Sequence, residues 1–329
     1  MNRSARFSGS AELQAQLAGG LIAAAPVPFD SNGRLHAGAH QSYLRYMSSQ
    51  PIAGVAVWAH TGRGLMLDAE TAGLVLQDWR SALPEKIVIA GAGATGTCNP
   101  EQATTLTVGM AETAARMGAD ALLVYPPTWL REHHLCDELI VEHHLRVSQV
   151  GLPIILFYLY EAAGGISYSS TVLDDLLRLP QVVGIKMATL DSVMTYQEIS
   201  RQVQAHHPDK LLITGEDRFL GYSLRRGARA ALVGLGAICC DLQAELIRAN
   251  EEGNTDRFLE LSDAVDMLAE TIFINPMEGY IKRLLWALVH LGVIPPSAAY
   301  DPWGPELPTN QFDEIGRILA ALTTEAHVI

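Results

Sequence analysis

Lysine is scarce in this chain: four residues against nineteen arginines. Acidic residues outnumber basic ones by 36 to 23, the formal net charge is −13, and no basic block occurs anywhere. Nucleic acid and anionic membrane surfaces are therefore poor partners. No apolar run approaches the roughly 18 residues of a membrane span, and the opening "MNRSARFSGSAELQAQ" lacks the apolar core of a signal peptide. Cys98, Cys136, Cys239 and Cys240 show no CxxC spacing, which fits reduced thiols and a cytoplasmic location. No linker rich in Gly, Pro or Ser and no solenoid-type repeat divides the 329 residues.

What the chain does have is alternation. Short apolar runs stand at 21–29, 54–59, 86–93, 121–127, 153–160, 182–188, 211–215 and 230–236, with helical patterns between them. Asn99-Pro100 is a cap and first-turn pair opening one such helix. The runs do not alternate apolar with polar, so both faces are buried, as in a parallel sheet. Eight β-then-α units predict an α/β fold, a (β/α)8 TIM barrel, ahead of a doubly wound sheet. After residue 236 the pattern turns helical. The expected organisation is an N-terminal extension (1–19), the barrel (20–252) and a C-terminal helical extension (253–329) packed on it.

In a barrel, chemistry sits at the C-terminal ends of the strands. In "QVVGIKMATLDS" (181–192), Lys186 ends the sixth run. Period-two alternation puts Val182, Gly184 and Lys186 on one face, and Val183, Ile185 and Met187 on the other. Lys86 and Lys210 precede strands and so lie at the opposite end, while Lys282 lies on a late helix. A desolvated lysine loses affinity for its proton, and the neutral amine attacks carbonyls; a lysine merely paired with a carboxylate is the alternative. "GAGATG" (91–96) has the form GxGxxG, but it follows the third strand and precedes its helix start. Glycines at a crowded barrel mouth explain it as well, and no nicotinamide cofactor is expected. The turn "HTGRG" (60–64) has small residues that leave backbone N–H groups free for a carboxylate or phosphate; a plain βα turn is the alternative. "REHHL" (131–135) and "VEHHL" (141–145) cluster four histidines without metal-ligand spacing, so solvated helix and loop, and no metal, are expected.

Taken together, "AAAPVPFDSNGRL", "HTGRGLMLDAE", "GADALLVYPP", "GIKMA", "GED" (215–217) and "NPMEGYIKRLLWALVHLG" (275–292) resemble, in order, segments of the dihydrodipicolinate synthase / N-acetylneuraminate lyase family of class I aldolases, over about 20–300. The resemblance implies that Lys186 forms an imine with pyruvate or another 2-oxo acid, and that the turn N–H groups of His60 and Thr61 hold the carboxylate. It implies no cofactor and a homotetramer.

The departures are as specific. The family's GTT turn reads Ala59-His60-Thr61, its paired tyrosines read Thr128-Trp129, and its strand-five tyrosine aligns with Phe157. Glu161, Ala162 and Ala163 stand where the synthases carry an arginine. Authentic dihydrodipicolinate synthase activity is therefore not expected. His60, Tyr158 and Tyr160 are the candidates to replace the missing phenol, although Tyr158 has the wrong parity unless its strand ends at Phe157. His60, Thr61, Gly62, Phe157, Trp129 and Leu232 are the candidate substrate contacts, and Trp58 adds to an aromatic set that implies a less polar pocket than a sialic-acid lyase needs. The expected function is a Schiff-base-forming aldolase or dehydratase; a barrel that binds a small 2-oxo acid without turnover is the alternative.

Overall fold

All eight apolar runs contribute strands. They are β1 (Leu21–Ala24), β2 (Gly54–Val57), β3 (Ile87–Ala92), β4 (Ala121–Val124), β5 (Ile154–Leu159), β6 (Val182–Ala188), β7 (Leu211–Thr214) and β8 (Ala230–Val233). Each pairs in parallel with the next, and β8 closes on β1. The computed structural model describes residues 7, 9–96, 99–131, 133 and 136–325. Helices between successive strands complete a (β/α)8 barrel, with Cys240–Glu251 following β8. The expected cap at Asn99 is present: its side chain accepts from the Gln102 N–H at 3.0 Å, with Pro100 in the first turn.

Alternation sorts the strand residues into two cores. Ile22, Ile89, Leu123, Ile155, Phe157, Ile213 and Leu232 fill the barrel interior. Val55, Val88, Leu122, Leu156, Ile185 and Leu212 face the surrounding helices. One strand departs from simple parity. The β5–β6 register runs Ile154↔Val182 and then Ile155↔Gly184, leaving Val183 as an extra residue. This bulge puts Val182 outside and Val183 inside, the reverse of the period-two expectation, while Ile185 and Met187 keep their place outside.

The N-terminal segment is more than an extension. Helix Ser10–Leu17 sends Leu13 and Leu17 into the interior cluster, where both are fully buried. Gln14 Nε2 donates to the carbonyl of the bulged Val183 at 2.8 Å and to that of Asp209 at 2.9 Å. The helix thus closes the end of the barrel opposite the strands' C-termini. Leu17→Ala is expected to cost about 2–5 kcal/mol, as a buried leucine does when its site cannot collapse; urea unfolding measures this, and a change near zero would show that the plug is dispensable.

Of the C-terminal helices, Thr255–Ile272 packs on the barrel helices Leu220–Arg225 and Cys240–Glu251, and Tyr280–His290 and Asn310–Glu325 pack on it and on each other. The segment between Ile272 and Tyr280 crosses the mouth. It is held by Arg283, which has no exposed surface. The guanidinium donates to the carbonyls of Ile272 (3.2 Å), Ile274 (2.8 Å), Pro276 (3.3 Å) and Asn275 (3.4 Å), and its Nε donates to Gln311 (3.0 Å). These carbonyl dipoles replace a counter-ion. Burial draws the Arg283 pKa down to about 10, where it remains charged at neutral pH.

Candidate active site

β6 brings Lys186 to the interior face, level with Phe157 on β5. The ammonium nitrogen lies 4.4 Å from the centre of the Phe157 ring. Space for the lysine comes from Gly215, just beyond β7: a Cβ there would stand 2.6 Å from Lys186 Cε and 2.7 Å from the Met187 carbonyl oxygen. Gly184 serves otherwise; a Cβ would meet the Leu211 carbonyl oxygen at 2.1 Å, so this glycine lets β6 approach β7.

Two carboxylates follow Gly215. Glu216 accepts from Thr189 N (2.6 Å), Thr189 Oγ1 (2.9 Å) and Leu190 N (3.1 Å). Asp217 accepts from Leu235 N (2.6 Å) and Gly234 N (3.4 Å). Burial raises both, Glu216 to about 8 and Asp217 to about 6. Burial acts on Lys186 in the opposite direction, drawing it down to about 8 against the charges of Asp217 and then Glu216. At pH 7 more of such a lysine is neutral than of an ordinary solvated one.

Across the mouth, the turn after β2 meets the C-terminal segment. His60 Nε2 lies 3.0 and 3.1 Å from the two Glu278 carboxylate oxygens. Arg63 reaches the same carboxylate at 2.8 Å, while its other edge grips Asp301 at 3.1 and 2.7 Å. The Tyr160 hydroxyl donates to Glu278 at 3.3 Å. Burial works against the Glu278 charge, but His60 and Arg63 hold its pKa down to about 2. Burial, reinforced by Glu278, pushes the Tyr160 phenol well up. The Thr61 and Tyr280 hydroxyls are 3.1 Å apart. Among the described residues no group accepts from the backbone N–H of His60 or Thr61.

Four of the sequence-predicted residues therefore share one pocket with Lys186: His60, Thr61, Phe157 and Tyr160. Four others do not line it. Tyr158 projects outward, its hydroxyl 3.4 Å from Ser167 and its ring edge-on to Tyr168, because β5 continues to Leu159 and strand parity holds. Trp129 packs edge-on against His143, among the residues outside the barrel. Leu232 is fully buried in the interior cluster, and Gly234 forms the wall on its side. Gly62 shapes the turn without reaching the pocket. Trp58 also faces outward, its indole donating to Ala72. Glu216, Asp217, Arg218, Phe273, Glu278 and Tyr280 went unassigned in the sequence. The "GED" directly after a strand was a readable sign of two rim carboxylates; the mouth-crossing segment offered none.

The histidine cluster corrects another expectation. His143 and His144 are buried, with Nδ1 atoms 3.0 Å from Thr104 Oγ1 and 2.8 Å from the Ile140 carbonyl. Burial, then His144 and Arg146, holds His143 well below the usual histidine value, and burial holds His144 down to about 4. His134 and Cys98 lie outside the described residues. Among the described residues no three His, Cys, Asp or Glu side chains are grouped to hold a metal, and no helix is long and apolar enough to cross a membrane. In "GAGATG", Gly91 lies next to last in β3 against the Trp58 carbonyl, where a Cβ would come within 2.1 Å.

A family model described as "Dihydrodipicolinate synthetase family" matches residues 17–321. A 4-hydroxy-tetrahydrodipicolinate synthase from Bartonella bacilliformis is 26% identical over 276 residues, 83% of this chain and 88% of the relative. N-acetylneuraminate lyase 2 from Escherichia coli is 22% identical over 311 residues, 93% and 95% of the two chains. Among solved structures, dihydrodipicolinate synthase from Oceanobacillus iheyensis superposes with a TM-score of 0.80 at 18% identity, covering 96% of this chain and 99% of the other. The Ruminococcus gnavus sialic acid aldolase does so with a TM-score of 0.80 at 17% identity, over 94% and 99%.

Proposed function

This chain belongs to the dihydrodipicolinate synthetase family, and from that footing we propose that it is a Schiff-base-forming lyase, an aldolase or dehydratase acting on pyruvate or another 2-oxo acid. The observation that carries the proposal is a single lysine, buried at the C-terminal end of a barrel strand in a pocket it shares with His60 and Thr61; burial draws its pKa down. The neutral Lys186 amine attacks the ketone carbon. A C–N bond forms, the carbonyl oxygen departs as water, and the protonated imine then draws electrons from the neighbouring carbon. The backbone N–H groups of His60 and Thr61 receive the substrate's carboxylate. A carbon–carbon bond or a hydroxyl one atom removed then breaks, or the reverse reaction forms it.

Authentic dihydrodipicolinate synthesis does not fit these residues. Phe157 beside Lys186 has no hydroxyl to shuttle protons, and Glu161–Ala163 supplies no guanidinium. His60, seated on the Glu278 carboxylate, is the proton carrier we assign instead. That pair favours catalysis over a barrel that only binds.

Borohydride or cyanoborohydride reduction with pyruvate tests the proposal. The reduced ligand's mass should appear on the peptide holding Lys186 and on no other. The trapping rate should rise about tenfold between pH 7 and 9 and then level off, since the reactive form is the deprotonated one and the folded pKa is about 8. A rate still climbing tenfold per pH unit above 9 would mean an ordinary lysine, and an unlabelled peptide across a broad panel of 2-oxo acids would end the proposal.

A further inference from the structure

Among the described residues lining the Lys186 pocket there is one guanidinium, Arg218. Its situation differs from that of Arg63 next to the pocket, whose two edges are consumed by Asp301 and Glu278. Arg218 Nη1 donates to the neutral carbonyl of Phe273 at 3.0 Å, which fixes the side chain without cancelling its charge. The nearest carboxylate oxygen belongs to Glu270, 3.7 Å from Nη2 and largely solvated. Such a pair is worth little. Asp266, one turn earlier on the same helix, feels the Arg218 charge but makes no ion pair with it among the described residues. Arg218 is 36% exposed where Lys186 is 6% exposed, so the lysine lies deep and the arginine stands at the mouth.

β2 and β6 face each other across the eight-stranded barrel, and β7 is the neighbour of β6. A 2-oxo acid with its carboxylate on the turn after β2 and its ketone carbon on Lys186 spans the pocket, and Arg218, on the turn after β7, lines that same pocket beside the lysine. Once the lysine has become an imine, its positive charge is balanced by Asp217. The guanidinium, whose ion pair among the described residues is the long contact with solvated Glu270, keeps a planar edge suited to two carboxylate oxygens.

Building on the Schiff-base reading above, we infer that the substrate is a 2-oxo dicarboxylic acid whose second carboxylate is bound by Arg218.

Half-saturating concentrations for trapping on Lys186 decide this. The probes are pyruvate and two matched pairs, 2-oxoglutarate with 2-oxopentanoate and 2-oxoadipate with 2-oxohexanoate. The wild type should require about tenfold less, or lower still, of at least one diacid than of its uncharged partner, the scale of a charge-assisted hydrogen bond. Arg218→Gln should erase that preference, Arg218→Lys should keep part of it, and pyruvate should change less than about twofold in both, since it is too short to reach the mouth. Glu270→Gln should leave the preference standing. Equal or poorer trapping of both diacids by the wild type, or a preference that survives Arg218→Gln, would overturn the inference while leaving the Schiff-base reading intact. A variant that loses pyruvate and diacid alike would show that Arg218 only braces the Phe273 segment, which also overturns it. No trapping of any 2-oxo acid, pyruvate included, removes the Schiff-base reading and this inference with it.

Discussion

Lys186→Ala is expected to leave no reducible adduct with any 2-oxo acid and to lower turnover by about 10³-fold or more, the scale on which loss of a covalent nucleophile acts. No other lysine stands ready to substitute. Lys86 donates to the carbonyls of Ser48 and Gln50, and Lys210 to those of Leu179 and Val182, all at the strands' N-terminal end. Lys282 lies over the Trp286 ring on a late helix. The fold should survive the change. The lysine side chain borders a pocket, and an amine whose pKa is depressed by burial is held at a cost to stability, not a gain. The thermal midpoint should therefore stay level or rise. Intact-mass spectrometry after reduction, with a melting curve alongside, checks both parts; an adduct that persists in the variant would move the chemistry to another residue.

The second large effect is expected at His60. His60→Ala should reduce kcat on the protein's own substrate by about 10²–10⁴, the usual worth of a positioned acid–base group, while pyruvate still labels Lys186. Tyr160→Phe should cost far less. Both side chains meet Glu278, but that carboxylate acts on them differently. It helps push the Tyr160 phenol away from the neutral range, making it a poor proton donor and leaving almost no phenolate to act as a base. It gives the imidazole a fixed partner on Nε2, which orients the ring. Single-turnover rates for the two variants separate the alternatives. A large loss in Tyr160→Phe with a small one in His60→Ala would reverse the assignment.

Most of the barrel was legible because its strands are buried on both faces and its helices carry local caps, both of which are properties of neighbouring residues. Lys186 was legible for the same reason, as a strand-end charge without an adjacent acid. What stayed hidden depends on distant pairs. The bulge at Val183 arises from how β6 pairs with β5, and its carbonyl is claimed by Gln14, far earlier in the chain. Glu278 meets His60 across a sequence gap of 218 residues, so no spacing rule connects them. Tyr158 shows the reverse case: strand parity already spoke against it, and parity held. Trp129 aligns with one of the family's paired tyrosines, but only the three-dimensional turn decides which way such a residue points, and it packs against His143.

The segment that Arg283 holds across the mouth has a consequence for the order in which the chain is made. A ribosome releases Lys186 well before Phe273, Glu278, Tyr280 and Asp301. Until these arrive, one wall of the pocket is missing and water reaches the amine, which then keeps its proton as any solvated lysine does. On the Schiff-base reading, the environment that lowers the amine's affinity for its proton is therefore complete only when the C-terminal segment has docked.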